Sequence, residues 1–96
     1  MVCLLTSRNL VESAVLHAIA IALHRTDVTA DTPLSAPPPK GLGLLGPAKQ
    51  ALFFPIDKIV EANGCDLTKL TPNKFANAST VKDLVDLVCK DLKVKS

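Results

Sequence analysis

The chain has 96 residues, a length that forms one domain around a single core. Apolar residues make up 48% of it, which excludes a disordered chain, and its only aromatic residues are three phenylalanines, so we expect an aliphatic core. The formal net charge is +2 and the eleven Lys and Arg residues are scattered, so we expect no nucleic-acid partner.

Three cysteines stand at irregular spacing, at Cys3, Cys65 and Cys89. An odd number without a paired spacing is typical neither of a disulfide framework nor of a zinc site. We therefore expect reduced thiols, no bound metal and a cytoplasmic protein, with an organellar presequence left open. A glutamate and two histidines interrupt the apolar N-terminal run, so the sequence predicts neither a signal peptide nor a membrane span.

The first predicted helix covers about residues 10–25. Asn9 precedes Glu12 by three positions, which favours Asn9 as the N-cap. His17 and His24 are two turns apart, about 10 Å at 1.5 Å per residue, which is too far for one metal ion to bridge. Apolar residues recur with the spacing of one helical stripe: Leu10, Val11, Ala14, Val15, Ala18, Ile19, Ala22 and Leu23.

A long loop over about residues 26–46 follows, rich in prolines and in Asp and Thr residues that favour turns. It ends in the letters GLGLLG, from Gly41 to Gly46, which match the G-x-G-x-x-G of dinucleotide-binding loops. That fingerprint needs a preceding strand, and the prolines before Gly41 cannot form a buried one. The sequence therefore favours a loop that leads into a helix, with Gly46 as N-cap and Pro47 at the first helical position.

The second predicted helix covers about residues 47–62. Pro55 lies inside it and removes the hydrogen bond to the carbonyl of Ala51, which costs about 3 kcal/mol in a straight helix. We therefore expect a kink or break near Phe54. The adjacent Phe53 and Phe54 leave two interpretations open: an exposed anchor for a partner or an acyl chain, or two side chains that both reach the core.

Two further helices complete the predicted fold, a short one over about residues 72–76 and a last one over about residues 80–92. The letters LTPNKF give the start signal of the short helix, a threonine cap followed by proline. The last helix opens with Thr80 as cap and Asp83 three residues on. No segment alternates with period two, so we predict an all-α domain of three main helices and one short helix.

The order of these helices and loops resembles the acyl carrier protein family, including the carrier domains of polyketide and peptide synthases. The resemblance covers about residues 11–92 and rests on the letters DVTADTPLS, LGL, LTPNKF and STVKDLVDLV in this order. It implies a four-helix bundle with a long loop after the first helix. It also implies a protein that does no chemistry itself and holds acyl groups on a 4′-phosphopantetheine arm for acyl-transfer or synthase-type proteins.

In that family the arm is attached to a serine at the start of the second helix, within L-G-x-D-S-L. Aligned on Leu42 to Leu44, the D-S-L positions are Leu45, Gly46 and Pro47, so no phosphodiester can form at Gly46. Ser35 is the serine nearby, but it matches a position well before the attachment site, and the five residues after it resemble an insertion. We therefore expect no bound cofactor, and a protein that acts either by contact with other proteins or by cradling a ligand between the second and third predicted helices.

The resemblance also implies a partner-binding surface on the second helix. That helix is usually strongly acidic in the family, whereas here two lysines and two acidic residues balance, so we do not carry the family's partners over. The candidate contact residues are Leu45, Pro47, Lys49, Phe53 and Lys58. An unrelated helical interaction module is the alternative, and an enzyme lacks a recognisable set of nucleophile, base and orienting residue.

Overall fold

A computed structural model of the chain describes residues 3–37 and 41–94. Within these ranges the backbone forms no strand, and one isolated β-bridge joins Pro33 to Thr80. The protein is therefore all-α, as predicted, and no helix of the described ranges is long and apolar enough to cross a membrane. The helices are α1 (Arg8–Leu23), α2 (Gly46–Ala51), α3 (Phe53–Ala62), α4 (Pro72–Phe75) and α5 (Val81–Leu92).

Helix α1 lies two residues closer to the N-terminus than the predicted span of 10–25. Ser7, and not Asn9, is the N-cap: its backbone is extended and its hydroxyl accepts a hydrogen bond from the N–H of Leu10 at 3.4 Å. At the other end His24 takes a left-handed conformation, with φ 55°, and ends the helix.

The helix predicted over 47–62 is interrupted at Leu52, so that α2 and α3 are separate helices. Pro55 has no N–H to donate to the carbonyl of Ala51, and the chain therefore restarts its helix at Phe53. This places Pro55 in the first turn of α3, where a backbone donor has no intrahelical partner. The interruption therefore removes the clash and the missing hydrogen bond that Pro55 would cause inside a straight helix.

The core is aliphatic, as the composition predicts, with a single fully buried aromatic ring at Phe75. Helix α1 packs against α3 and α5, while α2 contacts α3 and α4. Burial of a large apolar side chain contributes about 1.5–3 kcal/mol, so the residues that share this core supply most of the driving force for folding. The other fully buried residues are Val11, Val15, Ile19, Leu34, Ile56, Val60, Val81, Leu84, Val85 and Val88.

The long loop between α1 and α2 is joined to the core by Leu34. The side chain of Leu34 is fully buried, its N–H donates to the carbonyl of Ser79 at 2.8 Å, and its carbonyl accepts from the N–H of Leu44 at 2.7 Å. Two N–H groups in the first turn of α5 also donate to carbonyls of the loop. These donors have no partner within α5, so the loop completes the start of that helix.

Two carboxylates, one near each end of α5, accept hydrogen bonds from backbone N–H groups. Thr80 and Asp83 form the predicted capping box, in which each side chain bonds to the other residue's N–H. Near the C-terminal end Asp91 accepts hydrogen bonds from the N–H groups of residues 68–70, at 3.0–3.3 Å. Asp91 thereby fixes the loop that precedes α4.

A disulfide joins Cys3 to Cys65, so the prediction of three reduced thiols is wrong. The Cα atoms of the pair are 4.6 Å apart, and the neighbouring N–H of Leu4 donates to the carbonyl of Asn63 at 2.9 Å. The two cysteines are 62 residues apart in sequence, so only the packing of the N-terminal segment against the end of α3 brings them together. Because disulfides persist in oxidising compartments, the cysteines no longer support a cytoplasmic location.

Cys89 is the remaining cysteine, and it is buried in α5 as a free thiol. Burial raises the pKa of this thiol, which keeps it protonated and weakly nucleophilic.

Reduction of the Cys3–Cys65 bond is expected to lower the free energy of unfolding by about 4 kcal/mol, because the bond removes loop entropy from the unfolded chain. Urea unfolding with and without dithiothreitol measures the difference. A Cys3→Ser variant serves as control: it should match the reduced wild type and should not respond to the reductant. An identical urea midpoint for the oxidised and reduced wild type would contradict the prediction.

Candidate functional site

The three glycines of GLGLLG have different structural roles. At Gly41 a Cβ atom would overlap the backbone carbonyl of Ala36, and Gly43 has a φ of 64°, in the left-handed region that favours glycine. Gly46 has neither constraint, since a Cβ atom there would meet nothing within 4 Å and its φ is not positive. Chain packing therefore accounts for Gly41 and Gly43 and leaves Gly46 without a structural requirement for glycine.

The N–H groups of residues 41–44 donate to carbonyls of the same loop, at 2.7–3.2 Å. Those of Leu42 and Gly43 donate to the carbonyls of Pro33 and Ala36, at 3.1 and 2.9 Å. They are not free to cradle a phosphate, which a dinucleotide-binding loop requires. The GLGLLG letters therefore describe a packed turn. Residues 38–40 of the predicted insertion lie outside the described ranges.

Arg25 holds the same turn from the end of α1. Its Nη1 donates to the carbonyl of Gly41 at 2.8 Å, and its Nε and Nη2 donate to the carboxylate of Asp27 at 3.0 and 2.8 Å. These hydrogen bonds hold the pKa of Asp27 below its ordinary value. The guanidinium thus links α1 to the segment that leads into α2.

Gly46 is the first residue of α2, with Leu45 as the N-cap and Pro47 at the second position. The sequence predicts the same start one residue later, with Gly46 as the cap. Leu45 makes no side-chain capping bond, and the first turn of α2 has no acidic residue. Glycine offers no hydroxyl, so the residues present at this helix start do not fit a 4′-phosphopantetheine arm.

Ser35, the other serine considered for modification, is exposed in the bend that follows Leu34. It precedes the turn at Gly41 and Gly43, so it is not at a helix start. The position therefore lacks the helix N-terminus that favours an anion at the family's attachment site.

Three of the five predicted contact residues, Leu45, Pro47 and Lys58, are exposed, and Leu45 reaches 72% exposure. Phe54 is exposed as well, at 65%, although Phe53 is the predicted contact residue. We call the exposed apolar residues Leu45, Pro47, Ala51 and Phe54 the outer α2–α3 face, with Lys58 at its edge.

Lys49 and Phe53 point inward. The side chain of Lys49 is only 9% exposed, and its ammonium donates to the carbonyl of Ala78 at 2.7 Å, which joins α2 to the loop after α4. The half-buried ring of Phe53 packs edge-on against Phe75, with 5.8 Å between the ring centroids. Both side chains are therefore occupied by internal contacts, whereas the ring of Phe54 is exposed.

The electrostatic field of α3 is weak. Lys58 and Glu61 are exposed and of opposite charge, while Asp57 is half-buried. Burial is the main cause that raises the pKa of Asp57, and repulsion from Asp66 raises this pKa further. The exposed charges of α3 therefore do not form a surface of one sign.

No protein-family model, curated protein or solved structure matches this chain.

A series of alanine substitutions in the three glycines should separate their roles. Gly43→Ala is expected to lower the free energy of unfolding by about 1–2 kcal/mol, because alanine is strained at a left-handed φ. Gly41→Ala should lower it by about 1–3 kcal/mol through the overlap with Ala36. Gly46→Ala should instead raise it by up to about 1 kcal/mol, since alanine favours a helix and has room there.

Urea unfolding measures all three variants, and Gly46→Ala is the internal control for a glycine without a packing constraint. Equal losses at Gly41, Gly43 and Gly46 would contradict the distinction among the three positions.

Proposed function

We propose that this protein is an acyl-carrier-like domain that carries no pantetheine arm and acts in fatty-acid or polyketide type acyl transfer through protein contacts. It catalyses no reaction of its own in this proposal. The observation that carries the proposal is the position of Gly46: it opens a helix at the end of a long loop, with free space where a serine side chain would stand.

The helix order supports the carrier-like part of the proposal. A first helix is followed by a long loop, by α2 and α3, which together cover the predicted second helix, by the short α4 and by α5, which is capped by Thr80. Apart from the interruption at Leu52, this is the order of elements that the resemblance implies. The loop is held by the burial of Leu34, so the start of α2 has a fixed position relative to α5.

The outer α2–α3 face supports a mode of action by protein contact. It exposes two large apolar side chains, Leu45 and Phe54, on either side of the small residue Ala51. Clustered exposed apolar side chains of this kind mark interaction sites, and aromatic residues commonly supply much of the binding energy. The complementary partner surface is an apolar pocket, in contrast to the basic patches that family helices usually meet.

A ligand cradled between α3 and α4 is disfavoured by the packing in that region. The rings of Phe53 and Phe75 are in edge-on contact, and Phe75 is fully buried. These rings occupy the space that a ligand between the two helices would need. We therefore assign the function to the outer surface.

Phosphopantetheinylation tests the proposal. Wild-type protein is incubated with coenzyme A and a broad-specificity phosphopantetheinyl transferase, and its intact mass should not change. A triple variant with Leu45→Asp, Gly46→Ser and Pro47→Leu should gain the mass of one arm, because the new serine has free space at a helix start. A matched variant with Gly46→Ala and the same two flanking changes should show no increase in mass, because alanine has no hydroxyl.

Modification of the wild type would contradict the loss of the arm and would direct attention to Ser35. An authentic acyl carrier protein in the same reaction confirms that the transferase is active, and circular dichroism confirms that the variants are folded. If the folded triple variant stays unmodified beside that control, the carrier-like part of the proposal is rejected in favour of an unrelated helical interaction module.

A further inference from the structure

Residues 3–6, which precede α1, form a short strap that lies against the end of α3 and contains no helix or strand. Three attachments join it to the rest of the protein. The disulfide from Cys3 to Cys65 is the covalent one. The N–H of Leu4 donates to the C-cap carbonyl of α3 at 2.9 Å, and the side chain of Leu5 is buried, at 5% exposure. The other two side chains of the strap are exposed.

The rest of the chain holds the two cysteines of this disulfide differently. Cys65 belongs to the end of α3, where its N–H donates to the carbonyl of Val60 at 3.0 Å and its side chain is 3% exposed. The neighbouring N–H of Gly64 donates to the carbonyl of Glu61 at 2.9 Å. These bonds occupy carbonyls of the last turn of α3 and do not involve the strap. Cys3 is half-buried and lies outside any helix, so loss of the disulfide releases Cys3 and leaves Cys65 in place.

Helix α1 begins without help from the strap. Ser7 caps it, because its hydroxyl accepts from the N–H of Leu10 and its carbonyl accepts from the N–H of Val11 at 3.1 Å. The helix packs against α3 and α5, and its Val15 and Ile19 side chains are fully buried. A released strap therefore ends at Ser7, and α1 keeps its own cap and packing.

We propose that the strap is a redox-controlled cover: reduction of the Cys3–Cys65 bond releases residues 3–6 from the rest of the protein, and reoxidation closes them again. Without the bond, one hydrogen bond and one buried leucine oppose the conformational entropy of four residues, which favours release. The helices stay folded in both states, because Ser7 and Cys65 keep their backbone bonds to α1 and α3.

Reduction takes place by thiol–disulfide exchange with a dithiol. A thiolate of the dithiol attacks the sulfur of Cys3, which is the more accessible of the pair, and the bond to Cys65 breaks as Cys65 takes up a proton. The second thiol of the dithiol then displaces Cys3. The two cysteines gain two electrons and two protons, and the dithiol becomes a disulfide. Cys89 is buried in α5 and is not one of the exchanging sulfurs.

Release of the strap uncovers an apolar site between α1 and α3. Leu5 forms part of the wall of an open cavity of about 430 Å³, whose lining also includes Ala14 of α1 and Ile59 of α3. When the buried Leu5 side chain leaves, the apolar side chains that it packs against face water. The redox state of one disulfide therefore controls how much apolar surface the protein exposes at this junction.

Amide hydrogen exchange of the oxidised and the reduced protein tests the proposal. Dithiothreitol, the dithiol used as probe, should bring exchange of the Leu4 amide to within about 10-fold of the rate of an unstructured chain. The Val85 amide in α5 should stay at least about 100-fold slower than that rate. Removal of dithiothreitol and addition of oxidised glutathione should restore the protection of Leu4.

Equal protection of Leu4 in both redox states would overturn the proposal, because the strap would then stay in place without its covalent bond. Loss of protection at Leu4 and Val85 together would also overturn it, since the disulfide would then hold the whole domain and not the strap alone. Protection of Leu4 that does not return on reoxidation would contradict the closing step.

Two variants distinguish the disulfide from the third thiol. Cys3→Ser should exchange rapidly at Leu4 with or without dithiothreitol. Cys89→Ala is the matched control, because it removes the other thiol and keeps the disulfide, so it should respond to dithiothreitol like the wild type. A response of the Leu4 amide to dithiothreitol in Cys3→Ser would show that the disulfide is not the switch.

Binding of anilinonaphthalene sulfonate, a dye that fluoresces on exposed apolar protein surface, tests the uncovered site. The reduced wild type and Cys3→Ser should both bind more dye than the oxidised wild type. Unchanged dye fluorescence beside a released Leu4 amide would contradict the uncovering of apolar surface. The strap includes no residue of the outer α2–α3 face, so failure of this proposal leaves the proposed carrier-like function standing, and the reverse also holds.

Discussion

The burial of Leu34 fixes the long loop between α1 and α2 against the helices. A connection as long as the one between α1 and α2 would be free to move if its side chains faced water, but Leu34 is fully enclosed and its N–H and carbonyl are both bonded. Its bonds to Ser79 and Leu44 join the start of α5 to the turn that precedes α2. The helix start at Gly46 therefore has a defined position although a long loop precedes it.

Local signals allowed much of the fold to be predicted from the sequence. The cap of α5 needs only Thr80 and Asp83, three residues apart, and the break between α2 and α3 follows from the missing N–H of Pro55. Two features that depend on contacts between residues far apart in sequence could not be predicted. The disulfide partners are 62 residues apart, and Lys49 is buried because a carbonyl of a distant loop accepts its ammonium hydrogen bond.

At the candidate site, too, the local features were predictable from the sequence and the features of the folded loop were not. The sequence located the helix start at Gly46 to within one residue, because the glycine and proline there are local signals. It could not distinguish the three glycines, since overlap with Ala36 and a left-handed φ at Gly43 are properties of the folded loop. Two large apolar side chains, Leu45 and Phe54, remain exposed on the outer α2–α3 face. The proposed function is therefore one that acts by contact.

Amide hydrogen exchange at Leu34 and Leu44 measures whether the burial of Leu34 holds the loop, because both N–H groups donate to backbone carbonyls in the folded loop. These two amides are expected to exchange only on opening of the core, with protection close to that of the Val85 amide within α5. A Leu34→Ala variant, measured under the same conditions, should lose the protection at Leu44 before it loses that at Val85. Exchange of Leu34 and Leu44 in the wild type at the rate of an unstructured chain would show that Leu34 does not hold the loop.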